Sequence, residues 1–260
     1  MHHKDDRIGN WGADVEVLDW RPESTPLTLA EDETHVWRAK IELASEGLGP
    51  LGELLTPDER ARAERFRFDR DRQAFRTRRG ILRALIGRYL GGGPFTERFA
   101  LNAYGMPLLP APHSSLHFNL SHSAGMVLFA FTRGRRVGVD IEAIRPSADT
   151  VQIAETFFSR AEREALAALP SHQQCAAFFA CWARKEAYIK ALGIGLSLPL
   201  DSFDVCLSPS QPAALLASRL DPSGVASWHM DALEAGPGYA AALVVETTHS
   251  ATNLEMNRAA

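Results

Sequence analysis

Cysteine is scarce in this 260-residue chain. Only Cys175, Cys181 and Cys206 occur, an odd number without metal-ligand spacing, which leaves no support for a disulfide framework or a zinc site and suits a reducing cytosol. Long apolar runs are missing as well. Nowhere do about 18 apolar residues follow one another, and Met1–Asn10 is polar, so neither a membrane span nor an export signal is expected. Net positive charge is also lacking: 28 Lys and Arg stand against 32 Asp and Glu, so the formal charge of −4 gives no global attraction to nucleic acid or to an anionic membrane. With 45% hydrophobic and 23% charged residues, the chain is neither disordered nor fibrous in composition.

What basicity there is lies in one place. Arg60–Arg88 holds eleven arginines and three acids, a local charge of +8 against −12 for the rest. The planar guanidinium favours phosphate, although most of these groups on an amphipathic helix form a solvated face and only two or three are expected to touch a ligand.

Hydrophobic alternation predicts strands at 14–20, 35–41, 116–120, 125–132 and 137–142, with a hairpin or meander through Gly134, and further strands at 203–207, 226–230 and 239–246. Thr56-Pro57-Asp58-Glu59 and Ser159-Arg160-Ala161-Glu162 both read as capping boxes that open helices. Phe75, Leu82, Leu85, Ile86 and Tyr89 recur at helical spacing before a Gly-Gly-Gly-Pro stop, and a long helix over 173–192 closes at Gly193. The order of elements predicts an α+β protein made of two small units joined near residues 133–137.

Three motifs could carry chemistry. In Val137-Gly138-Val139-Asp140-Ile141-Glu142, strand alternation puts Asp140 and Glu142 on one face, either as a pair that needs a cation such as Mg²⁺ or as two solvated acids. Trp182, Glu186 and Lys190 recur every four residues along one helix face; Glu186 with Lys190 is a surface ion pair or, given the tryptophan on the same stripe, a partly buried functional pair. In Asn119-Leu120-Ser121-His122-Ser123, small hydroxyls flank a histidine expected in a turn, as phosphate donors or as ordinary structural bonds.

Together and in this order, Phe118-Asn119-Leu120-Ser121-His122-Ser123, Gly138 to Glu142, Phe157-Phe158-Ser159, Trp182 to Lys190 and Gly193 to Phe203 resemble the 4′-phosphopantetheinyl transferases of the Sfp type. The likeness covers most of residues 55–205. It implies two similar α/β subdomains in a pseudo-dimeric arrangement, residues 1–133 and 134–260, the second ending in a flexible tail, with coenzyme A in the cleft between them. It also implies transfer of the 4′-phosphopantetheine arm to a serine of an acyl or peptidyl carrier protein, as in polyketide, nonribosomal peptide or fatty-acid synthesis, by a cytoplasmic monomer without nucleic-acid or membrane partners. Under the resemblance Asp140, Glu142 and Glu186 hold Mg²⁺, Glu186, Asp140 and Lys190 are catalytic, and Ser121, His122, Arg62, Arg76, Lys185 and Lys190 contact coenzyme A. Arg72 and Arg79 are alternatives to Arg76. One departure is Tyr104-Gly105-Met106-Pro107, where the family often has a lysine in place of Met106. The competing readings are a nucleic-acid-binding module, a catalytically silent homologue and a Mg²⁺-dependent phosphohydrolase.

Overall fold

The computed structural model describes residues 15–17, 25–41, 49–146, 149–208 and 211–247. The strands are β1 (15–17), β2 (34–40), β3 (100–101), β4 (107–108), β5 (116–123), β6 (126–133), β7 (137–143), β8 (203–205), β9 (215–218), β10 (228–232) and β11 (239–246). The helices are α1 (49–53), α2 (57–63), α3 (69–89), α4 (150–157), α5 (160–167) and α6 (171–192). The rest of the strand expected at 14–20, and the tail from 248 on, lie outside the described residues. Among the described residues, no helix is long and apolar enough to cross a membrane.

Two sheets carry the fold. The first has the order β1-β2-β6-β5 and the second β10-β11-β7, all pairs antiparallel except β1 with β2. The chain passes from one sheet to the other at residues 134–136. The expected hairpin therefore exists only between β5 and β6; β7 turns away from β6 and pairs with β11 along its whole length. Two bonds set that departure: the Gly134 amide donates to Ser115 O, and the Thr132 hydroxyl donates to Arg135 O. The predicted turn around His122 is strand instead, because the chain reverses one step later at Ala124 and Gly125, both at positive φ.

Each sheet is covered by one long helix. Ile81, Leu82, Leu85, Ile86 and Tyr89 of α3 pack on Trp37, Leu116, Phe118, Phe129 and Phe131. Phe178, Ala187, Tyr188 and Ile189 of α6 share a core with Ala242, Val244, Phe203 and Met230. A third core closes the seam, where Val36, Leu128 and Ala130 meet Val137, Val139, Ile141 and Leu243. Strand β6 is apolar on both faces for this reason, serving the α3 core with one and the seam with the other.

The two capping boxes form where the sequence puts them. The Thr56 amide donates to Glu59, and the Ser159 amide to Glu162, whose own amide returns a bond to the Ser159 hydroxyl. Gly193 ends α6 in the left-handed conformation at φ 72°.

Gly138 sets the distance between α6 and β7. A β-carbon there would stand 2.0 Å from Ala187 O and 2.4 Å from Ala191 N, both backbone atoms that cannot swing aside. Gly138→Ala must therefore push α6 off the sheet. Overpacking a core costs about 1–3 kcal/mol, and here we expect the upper end or beyond, read as a lower midpoint in thermal or urea unfolding.

Candidate active site

Alternation along β5 builds the seam. Leu116 and Phe118 face the α3 core with Leu120 packed against it, so Asn119, Ser121 and Ser123 point to the second sheet. Asn119 accepts from the Val139 amide at 3.1 Å, and the Ser121 hydroxyl donates to Asp140 Oδ1 at 2.7 Å. Ser123 donates to Glu142 Oε2 at 3.0 Å and accepts from the Ala143 amide at 3.0 Å. Three alternate side chains of β5, Asn119, Ser121 and Ser123, thus bond β7, although the two strands belong to different sheets.

Strand β7 sends Val139 and Ile141 into the seam core and turns Asp140 and Glu142 to the side covered by α6. From the last turn of α6, Lys190 Nζ reaches Asp140 Oδ1 at 2.6 Å, Ser121 Oγ at 3.1 Å and Val139 O at 3.4 Å. Asp140 is 2% exposed. Burial raises the pKa of Glu142, reinforced by the Asp140 charge, against opposing pulls from Ser123, Lys190 and Arg145. Glu186 is raised too, by burial first; Lys190 opposes the shift while Asp140 and Glu142 add to it. The charges of three carboxylates from two elements therefore act on one another.

Among the described residues, no group of three or more His, Cys, Asp or Glu side chains stands so that it could hold a metal ion as it is, and Lys190 already occupies one oxygen of Asp140. The other oxygen, Asp140 Oδ2, is buried and makes no hydrogen bond. A buried acceptor without a partner is costly, and a set of hard carboxylate oxygens with one left over fits a hard divalent cation.

Beside this cluster, a cavity of about 430 Å³ is lined by Arg62, Arg79, Met106, Phe118, Asn119 and Leu120, among others. Asn119 is two residues from Ser121, roughly 7 Å along a strand, so cavity and cluster adjoin. Arg79 is held by Glu59, with Nε 3.3 Å from Oε1, and lies over the Phe75 and Phe99 rings, while its Nη1 is buried without a partner. A second hollow of about 710 Å³ shares Asp58 and Arg62 and adds Arg65 and Phe66.

Residues 136–244 match the 4′-phosphopantetheinyl transferase superfamily. The chain is 40% identical over 198 residues to the 4′-phosphopantetheinyl transferase HetI of Nostoc sp., covering 75% of this chain and 83% of that protein. The transferase Sfp of Bacillus subtilis is 35% identical over 71% of this chain and 79% of its own length, and the transferase ffp of the same species 34% identical over 76% and 84%. The chain belongs to the Sfp-type 4′-phosphopantetheinyl transferases. Among solved structures, the holo-[acyl-carrier-protein] synthase of Thermotoga maritima superposes with a TM-score of 0.36 on 44% of this chain and 63% of its own, at 22% identity, too loose a likeness to bear on the site.

In this transferase Asp140, Lys190 and Ser121 are bonded to one another, Glu142 is held beside them by Ser123, Glu186 is near enough to feel the charges of Lys190, Asp140 and Glu142, and Arg62 lines the adjoining cavity. Lys185 does not join them. It is fully buried, donating to Leu200 O at 2.7 Å and Phe203 O at 2.8 Å and pairing with Glu162 at 2.8 Å, because one helical step back from Glu186 turns it into the α6 core. Arg76 is bonded to Glu64; of the arginines 72, 76 and 79, Arg79 is the one that lines the cavity. As neighbours on a strand, Ser121 and His122 point opposite ways. His122 keeps part of its surface open to solvent while the rest of the ring is covered, and that burial, with Arg78 and Lys190 nearby, lowers its pKa to about 4, so it is neutral at pH 7. Of the motif residues, Ser123 takes the structural bond that was one of its two expected roles, Arg79 is the alternative to Arg76 that reaches the cavity, and Asn119 carries no expected role of its own, although the alternation that put Leu116 and Phe118 in the core already placed it on the seam face.

The raised carboxyls have a consequence for stability. A carboxyl whose pKa rises on folding binds more protons folded than unfolded, so its cost grows as pH climbs from the unfolded value through the folded one and is complete above it. Without metal, Glu142→Gln and Glu186→Gln should each raise the melting temperature at pH 7 by a few degrees, and the gain should vanish near pH 4. Equal melting temperatures at pH 7 would mean that the carboxylates do not repel.

Proposed function

We propose that the cluster binds the diphosphate and the adjoining cavity the nucleotide of coenzyme A, and that the enzyme transfers the 4′-phosphopantetheine arm to a carrier-protein serine. The observation that carries this reading is the buried Asp140 with its spare oxygen, flanked by Glu142, Glu186 and Lys190 and adjoining an arginine-lined cavity. Asp140, Glu142 and Glu186 would hold Mg²⁺, which when bound offsets the charge of the diphosphate. Lys190 and the Ser121 hydroxyl orient a phosphate oxygen, and Lys190 stabilises the departing one. The serine Oγ attacks phosphorus, the bond to adenosine 3′,5′-bisphosphate breaks, and the serine proton passes to Glu186 or to water at the cluster. Arg62 and Arg79 meet the nucleotide phosphate in the absence of a lysine at 106, and neutral His122 adds an uncharged polar contact at the rim.

The carriers are acyl or peptidyl domains of polyketide, peptide or fatty-acid type, and the exposed Arg62, Arg65, Arg67 and Arg70 steer an acidic partner. One chain supplies both sides of the cleft, which suits a monomer with subdomains 1–133 and 134–260, and unpaired thiols suit the cytoplasm.

Incubation with coenzyme A, Mg²⁺ and an apo carrier should add one phosphopantetheine arm to the carrier mass; nucleotide release without a carrier would instead mean a hydrolase. Asp140→Ala and Glu186→Ala should each lower transfer at least 100-fold while the protein stays folded by circular dichroism, as expected for groups that stabilise developing charge. Near-normal turnover by either would refute the assignment. Arg79→Ala should raise KM for coenzyme A about tenfold, the loss of a charge-assisted bond, and Arg76→Ala much less.

A further inference from the structure

The short hairpin of β3 and β4 supplies Gly105, Met106 and Pro107 to the cavity wall, and it is fastened across the cleft to the end of α6 by one side chain. Asn102 Nδ2 donates to Gly193 O at 2.6 Å, a contact between residues 91 apart in sequence. The same side chain organises its own hairpin, since Oδ1 accepts from the Tyr104 and Met106 amides at 2.9 Å each. The Asn102 backbone adds bonds to Met106 O and from Gly105 N. On the far side, the Gly193 amide closes the last turn of α6 by donating to Ile189 O and Lys190 O. A β-carbon at Gly193 would stand 3.0 Å from Asn102 Nδ2 and 3.3 Å from Met106 Cε, so the two surfaces are already in contact.

Asn102 thus joins a wall of the cavity to the helical turn that carries Lys190. We propose that Asn102 is a positioning residue that fixes the separation between the nucleotide cavity and the Asp140–Lys190 cluster, so that a ligand long enough to occupy both is held in register. The inference rests on the reading of those two places as parts of one coenzyme A site. A ligand confined to the cavity gains nothing from the bridge, whereas a ligand spanning both loses affinity and turnover when the ends are free to drift.

Two variants break the bridge and keep the turn. Asn102→Ser leaves a hydroxyl that still accepts from the hairpin amides but is too short to reach Gly193 O; Asn102→Asp keeps the acceptor and removes the donor. Calorimetry on the full chain gives the affinities of coenzyme A and of adenosine 3′-phosphate, which carries only the nucleotide end, and a carrier-mass assay gives kcat. Both variants should bind coenzyme A about tenfold more weakly with a lower kcat, hold adenosine 3′-phosphate within about threefold of the parent, and melt near the parent temperature. Unchanged coenzyme A affinity and kcat, or equal weakening of the two ligands, would overturn the inference and leave Asn102 as a mere wall support. A parent protein that bound neither ligand would overturn the site reading itself, a result separable from the other two.

Discussion

A carboxylate held out of water with one oxygen unsatisfied is the constraint around which the rest of this molecule is arranged. Asp140 sits on a strand whose other face is committed to the seam core, so it cannot turn away without exposing Val139 and Ile141. Its first oxygen is met by a serine from the opposite sheet and a lysine from the covering helix. Any shift of α6, β5 or β7 would strand a buried charge, which costs about 3–5 kcal/mol when one partner is lost. The same three elements therefore have to keep their places for the fold to persist and for the cleft to keep its shape.

A second buried ion pair holds the helix that bears Glu186 and Lys190. Lys185 is fully enclosed between Glu162 and the carbonyls of Leu200 and Phe203, and Glu162 also caps α5 and accepts from the Val205 amide. One carboxylate thereby ties the start of α5, strand β8 and the middle of α6 into a unit. With Gly138 fixing the height of α6 above β7, the helix has little freedom to rotate, and the next residue, Glu186, a helical step of about 100° on from the buried Lys185, is left half-buried.

Features governed by local periodicity were legible in the sequence. Both capping boxes, the Asp140–Glu142 face and the Trp182–Glu186–Lys190 stripe follow from spacings of two to four residues, which the backbone enforces wherever a strand or helix forms. The missing pieces depend on tertiary context. Arginine recurs along α3 at 70, 72, 76, 78, 79, 83 and 88, so nothing in the sequence separates Arg79, pressed against Glu59 and two aromatic rings, from Arg76, bonded to Glu64. The exchange of β7 from one sheet to the other looks like a hairpin because the turn residues are the same in either case. Helix α4 is eight residues long and fully buries Ala154 alone, with Ile153 packed at the edge of the core, so two turns leave its apolar spacing too short to read. Asn102 carries no periodic signal at all, since its partner is 91 residues away.

Charge balance explains why the cluster is poised rather than complete. Ionised Asp140, Glu142 and Glu186 against one ammonium of Lys190 leave two uncompensated negative charges in a half-buried cleft. That surplus is relieved either by protons, which is what the upward shifts of Glu142 and Glu186 express, or by one divalent cation. A diphosphate entering alone would deepen the surplus by its own charge, whereas one entering with a dication would not. Under the proposed reading protons and metal would compete for the same oxygens, and because binding a hard cation requires deprotonated carboxylates, affinity for the ion would rise with pH across the range in which the two glutamates titrate.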